Sequence, residues 1–135
     1  PVPGGPVPAG VIVVPTGGRP LADPAAVADA LGTDPAKLRD LLQRAMTTGA
    51  GVVRSLASMG AAGGMVEETA DVVATAVERA GVATPVLGEL ANLSTVARAL
   101  LASARAREES RGAHARAEFP DQVPAWRCRL AHGTA

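Results

Sequence analysis

Asp34-Pro35-Ala36-Lys37-Leu38-Arg39-Asp40-Leu41-Leu42-Gln43-Arg44-Ala45-Met46 is the stretch from which the architecture is read. An aspartate followed by proline is a helix start, because the carboxylate accepts from amides that have no partner in the first turn, where proline is tolerated. Leu38, Leu41, Leu42, Ala45 and Met46 then recur at steps of three and four, and the series continues through Gly49, Val52, Val53 and Leu56. That spacing predicts one apolar helical face, with Arg39, Asp40, Gln43, Arg44 and Thr47 opposite it in water. Gly49 and Gly51 each weaken such a helix by about 1 kcal/mol relative to Ala, which predicts close approach of another backbone there. The run from Gly60 to Gly64 is expected to end the helix and make a turn.

Two further helices follow. One is expected from Met65 to Ala80, with Val66, Ala70, Val73, Ala74 and Val77 inward and early carboxylates at its positive end. Gly81 closes it, and Thr84-Pro85 opens a third, to about Ser110, with Leu87, Leu90, Leu93, Ala97, Leu100, Leu101 and Ala104 inward. Gly112 supplies a left-handed residue beyond that helix. The expected fold is therefore all-α, an up-down-up three-helix bundle over residues 33–120. Residues 1–32, rich in Pro and Gly, read as a semi-extended linker. Within it lie an apolar anchor at Val11 to Val14 and a short helix from Pro24 to Leu31 ended by Gly32. Residues 121–135 lack periodicity and read as an extended tail.

Composition narrows the function classes. The chain has 135 residues, 47% of them hydrophobic, but Phe119 and Trp126 are its only aromatic side chains. A core of Ala, Val and Leu is thin and is expected to lean on a partner surface. Thirteen basic residues balance thirteen acidic ones, so no overall field draws the chain to nucleic acid or anionic lipid. No apolar stretch is long enough to span a bilayer. The single cysteine, Cys128, cannot form an internal disulfide, and with no signal peptide this suits the cytoplasm.

One region is specific in its chemistry. Glu89-Leu90-x-Asn92-Leu93 and Val96-Ala97 precede Arg107-x-Glu109-Ser110-Arg111-Gly112-Ala113-His114-x-Arg116-x-Glu118-Phe119-Pro120. This resembles the C-terminal signature of the succinate dehydrogenase and fumarate reductase flavoprotein family, Arg-x-Glu-Ser-Arg-Gly-x-His-x-Arg-x-Asp/Glu-Tyr/Phe-Pro. Leu41 and Met46 before Gly51-Val52-Val53-Arg54 are similar to that family's opening helix of the same domain, so the resemblance covers residues 34 to 120. It implies a spectrin-repeat-like bundle at the end of a longer, FAD-dependent polypeptide. The short stretch after Pro120 is similar to the L-aspartate oxidase branch, in which L-aspartate is oxidised to iminoaspartate for NAD biosynthesis. The dehydrogenase or reductase branch and a free-standing helical interaction module are the alternatives.

The residues of this chain point away from catalysis by the domain itself. His114 has no nucleophile and third partner beside it in sequence, and His114, His132 and Cys128 lack metal-ligand spacing. No Gly-x-Gly-x-x-Gly turn follows a strand, so no FAD cradle is expected in this chain, and its catalytic and cofactor-binding residues are taken as none. Arginines interleaved with Glu108, Glu109 and Glu118 and without stacking aromatics do not read as a nucleic-acid surface. Arg107, Glu109, Ser110, Arg111, His114 and Arg116 are instead expected to dock onto the flavin-binding and capping domains of the same polypeptide, with a solvated, self-paired helix end as the alternative. The isolated chain is expected to be inactive and to self-associate weakly.

Overall fold

The computed structural model describes residues 24–80 and 84–130. Its elements are α1 (Pro24–Leu31), α2 (Pro35–Gly49), β1 (Val53–Arg54), α3 (Leu56–Ala80), α4 (Pro85–Ala106), β2 (Ala115–Arg116) and a 3-10 turn, Pro124–Trp126. The all-α bundle expected from sequence is present. The anchor at Val11 to Val14 and the closing Gly81 lie outside the described residues.

Helix starts follow the local chemistry. The Asp34 carboxylate accepts from the Ala36 amide and the Thr84 hydroxyl from the Leu87 amide, with Pro35 and Pro85 in the first turns. Gly32 follows α1 with a φ of 67°, a conformation open to glycine at no steric cost.

The turn between α2 and α3 falls earlier than the glycine run suggests. Ser55 and Ser58 exchange bonds, each hydroxyl accepting from the other's amide at 3.0 Å, which is the reciprocal cap of a helix start. Helix α3 therefore begins at Leu56 and runs through Gly60, Gly63 and Gly64 without a break. Val52, Val53 and Leu56, expected on the inner face of the first helix, lie exposed in and beside this turn, Val52 at 85%. At Gly63 smallness serves packing: a Cβ there would lie 2.8 Å from the Arg105 guanidinium, which donates to the Met59 carbonyl.

Helix α3 is the axis. Leu42 shares a buried cluster with Met59, Ala62 and Val66 of α3 and with Ala97, Leu101 and Ala104 of α4. Leu38 shares a second with Val73, Ala76, Leu87 and Leu90, and Val27 and Leu31 of α1 close it. Residue numbers rise along α2 and α4 as they fall along α3, so α3 is antiparallel to both and the bundle is up-down-up. Helix α1, assigned to the linker by its composition, thus lies in the core. The inward stripe of α3 is Met59, Ala62, Val66, Thr69, Val73 and Ala76, which leaves Ala74 outside. Leu41 and Leu100, expected inward, are exposed.

At Gly49 the backbone of α2 lies close against α3. A Cβ there would lie 2.5 Å from the Ala62 Cβ and 2.6 Å from the Ser58 carbonyl oxygen, whereas one at Gly60 meets nothing within 4 Å. Gly49→Ala should therefore lower the unfolding free energy by about 1–3 kcal/mol through overpacking. Gly60→Ala, inside an exposed helical turn, should raise it by about 0.5–1 kcal/mol. Urea titrations of the two variants check the pair, and a loss at Gly60 would place the turn where the glycines suggested.

Candidate functional site

The last turn of an α-helix leaves carbonyls without amide partners. In α4 that need is met by Arg116, only 3% exposed, which returns from ten residues beyond the helix. Its Nη1 donates to the carbonyls of Ala104, Arg105 and Arg107 at 2.9, 3.2 and 3.1 Å. A cation suits the negative end of the helix dipole, and the Phe119 ring lies 5.1 Å from the guanidinium carbon. Nε and Nη2 both donate to Glu118 at 3.3 Å, and the other Glu118 oxygen accepts from the Leu56 amide at 2.6 Å. One ion pair thus closes the end of α4 and the start of α3, which the antiparallel packing sets side by side.

Because Arg116 occupies those carbonyls, α4 ends at Ala106 rather than at Ser110, and Arg107 is extended. Glu109 then turns inward and is fully buried. Its Oε1 accepts from Arg107 Nη1 at 2.7 Å and Arg111 Nε at 2.8 Å, and its Oε2 from Arg111 Nη2 and the Val123 amide, each at 2.9 Å. The Arg111 bonds foremost, with those from Val123 and Arg107, hold the carboxyl down from 4.5 to about 2. Arg107 also donates to the carbonyls of Trp126 and Cys128 and lies over the Trp126 ring at 5.6 Å. Residues 121–128 are consequently a strap folded against the motif, not the extended tail expected of them.

Ser110 and Gly112 shape the return. The Ser110 hydroxyl donates to the Phe119 carbonyl and accepts from the Arg116 amide, both at 2.8 Å. Arg111 and His114 exchange both backbone bonds around Gly112 and Ala113, with Gly112 at a φ of 59°, the left-handed position that a two-residue turn of this kind gives to glycine. The chain leaves as β2, parallel to β1, with Val53 opposite Ala115 and Arg54 opposite Arg116. Across this pair, Arg54 Nη1 donates to His114 Nδ1 at 2.8 Å, and His114 Nε2 faces the Arg107 carbonyl at 3.3 Å. Arginine is always a donor, so the imidazole is neutral with its proton on Nε2.

Arg107, Glu109, Ser110, Arg111, His114 and Arg116 thus form one constellation, as their spacing suggested, and the bonds described for them run within the chain. Arg54 completes it from sixty residues away, a pairing that spacing cannot show, and the Ser55–Ser58 cap sets the start of α3. Among the described residues β1 into α3 is the strand-to-helix junction, and the amide end that would receive a pyrophosphate holds the Glu118 carboxylate instead. Among the described residues no group of His, Cys, Asp or Glu is placed to hold a metal ion, and no helix is long and apolar enough to cross a membrane.

Among the described residues the most developed side-chain chemistry closes one end of the helical bundle. Residues 39–131 match the fumarate reductase flavoprotein C-terminal family, a family of flavoprotein oxidoreductases, and the chain belongs to it. No curated protein and no solved structure matches the chain.

The acid behaviour of this end rests on its depressed carboxyls, Glu118, held down by the Leu56 amide first, and Glu109, held down to about 2. A carboxyl depressed in the folded state stabilises the fold above 4.5 and loses that contribution as pH falls toward 2. Thermal melts from pH 7 to 2 should fall steepest in that window, and Glu109→Gln should melt lower at pH 7 with a shallower acid slope. Arg116→Met should cost about 1–3 kcal/mol in a urea titration, because three helix-end carbonyls lose their donor.

Proposed function

We propose that this chain is the C-terminal domain of an FAD-dependent L-aspartate oxidase and braces the flavin-binding and capping domains of the same polypeptide. The run from Arg107 to Pro120, inside the matched family segment, carries the reading. FAD belongs to the parent enzyme, where it accepts the electrons of L-aspartate oxidation. The work of this domain is mechanical: Arg107, Glu109, Ser110, Arg111, His114 and Arg116 hold one end of the bundle in a single shape. Beside that end lie the exposed Val52, Val53 and Leu56, a surface suited to packing against the rest of the polypeptide. Of the two branches, the aspartate oxidase one is proposed on the segment after Pro120, whose residues 121–128 fold back onto the motif.

The succinate dehydrogenase and fumarate reductase branch is the second reading, favoured by the name of the matched family. Substrate turnover by the polypeptide that carries this chain with its flavin-binding domain separates the two. L-Aspartate oxidation coupled to oxygen or fumarate, with no succinate oxidation, is the expected result. Turnover of succinate without L-aspartate would assign the chain to the second branch. In the same enzyme Arg111→Ala should lower flavin retention and melting temperature while the flavin-loaded fraction keeps its kcat. Unchanged flavin content and melting temperature would remove the bracing role.

A further inference from the structure

We propose that the Arg54–His114 bond is a pH-operated fastener: protonation of His114 releases β1, with Val52 and Val53, from the clasp while the helical bundle stays folded. The geometry makes His114 an acceptor at Nδ1 from a group that can only donate. A proton on Nδ1 removes that acceptor and sets an imidazolium against the Arg54 guanidinium. The other charged groups facing the ring give no relief. Burial foremost, and then the charges of Arg54, of Arg116 on β2 and of Arg107 at the end of α4, hold His114 below its ordinary 6.5, against the Arg107 carbonyl, which favours a protonated ring. The carboxylates of the cluster are engaged elsewhere, Glu109 with Arg107, Arg111 and the Val123 amide, Glu118 with Arg116 and the Leu56 amide.

What the repulsion would move is lightly held. β1 is two residues long, and beyond its ladder the Ala117 amide bonds the Arg54 carbonyl at 2.8 Å. Arg54 Nε is tied to the carbonyls of Ala50 and Gly51 at 3.0 and 3.2 Å, so displacing the guanidinium loosens the turn that carries Val52 and Val53. The two buried clusters lie among the helices, and Arg116 needs no part of His114 to cap α4. Opening is therefore local. Its window is below pH 6.5 and above the range of Glu109, so the acid loss described for that carboxylate is a separate event.

Amide hydrogen exchange on the 135-residue chain bearing His132→Gln, so that His114 alone titrates as a histidine, tests this. Between pH 7.5 and pH 5, after correction for intrinsic exchange, protection of the Ala117 amide should fall, by up to about tenfold per pH unit below 6.5. Protection of the Val66 and Val73 amides in α3 should not change. Adding His114→Gln should abolish the pH dependence at Ala117. Constant Ala117 protection from pH 7.5 to 5 would overturn the proposal, as would an equal loss at Val66 and Val73 or an unaltered pH dependence in the glutamine variant. If that variant does not fold, comparison of Ala117 with Val66 and Val73 in the parent chain decides alone.

Discussion

Helix α4 ends in carbonyls that have no amide left to accept from, and the way they are satisfied sets the arrangement around them. A buried arginine bonds three of them at once. For Arg116 to reach back, the chain must leave α4 at Ala106, turn around Gly112 and return alongside β1. That path brings His114 to Arg54, Glu118 to the amide of Leu56 and Ser110 beneath Phe119. The Glu118 bond joins this segment to the start of α3, the His114 bond joins it to β1, and the Ser110 bond closes it on itself.

The polar character of this end is a response to a thin core. Two clusters of Ala, Val, Leu and Met lie along α3, and Thr69 and Ser94 are buried at the levels between them, each hydroxyl bonding the carbonyl four residues back. Small side chains let the helices approach closely, as at Gly49 and Gly63, but bury little area each. Beyond Ala106 no apolar stripe remains to hold the chain. Geometry is supplied there by charge-assisted bonds, four of which converge on the fully buried Glu109. An ion pair so buried adds less stability than its count of bonds suggests, but it tolerates very few alternative arrangements.

This division bears on how such a domain serves a flavoprotein. The bundle presents a fixed end whose arginines are engaged at home, and beside it a short turn with exposed valines. In the proposed bracing role, a partner surface meeting that end finds the exposed Val52, Val53 and Leu56 beside a polar scaffold. The groups expected to dock bond within the chain, and in the proposed role they hold that surface in shape.

Sequence alone determined the helical class, the starts of α2 and α4, the end of α1 and the family motif, because caps, proline and glycine act within a few residues of themselves. It misplaced the α2–α3 turn, since Gly60 to Gly64 reads as a break wherever packing is unknown. In the structure, the Ser55–Ser58 cap and the seat of Arg105 at Gly63 make those glycines helical. It also grouped Arg107, Glu109, Ser110, Arg111, His114 and Arg116 without indicating what they bond. Tertiary structure decided that, because their acceptors and donors are carbonyls freed by a helix end, an amide of the returning strap and a guanidinium sixty residues upstream. Such partners exist only once α3 and α4 lie antiparallel and their opposite ends meet.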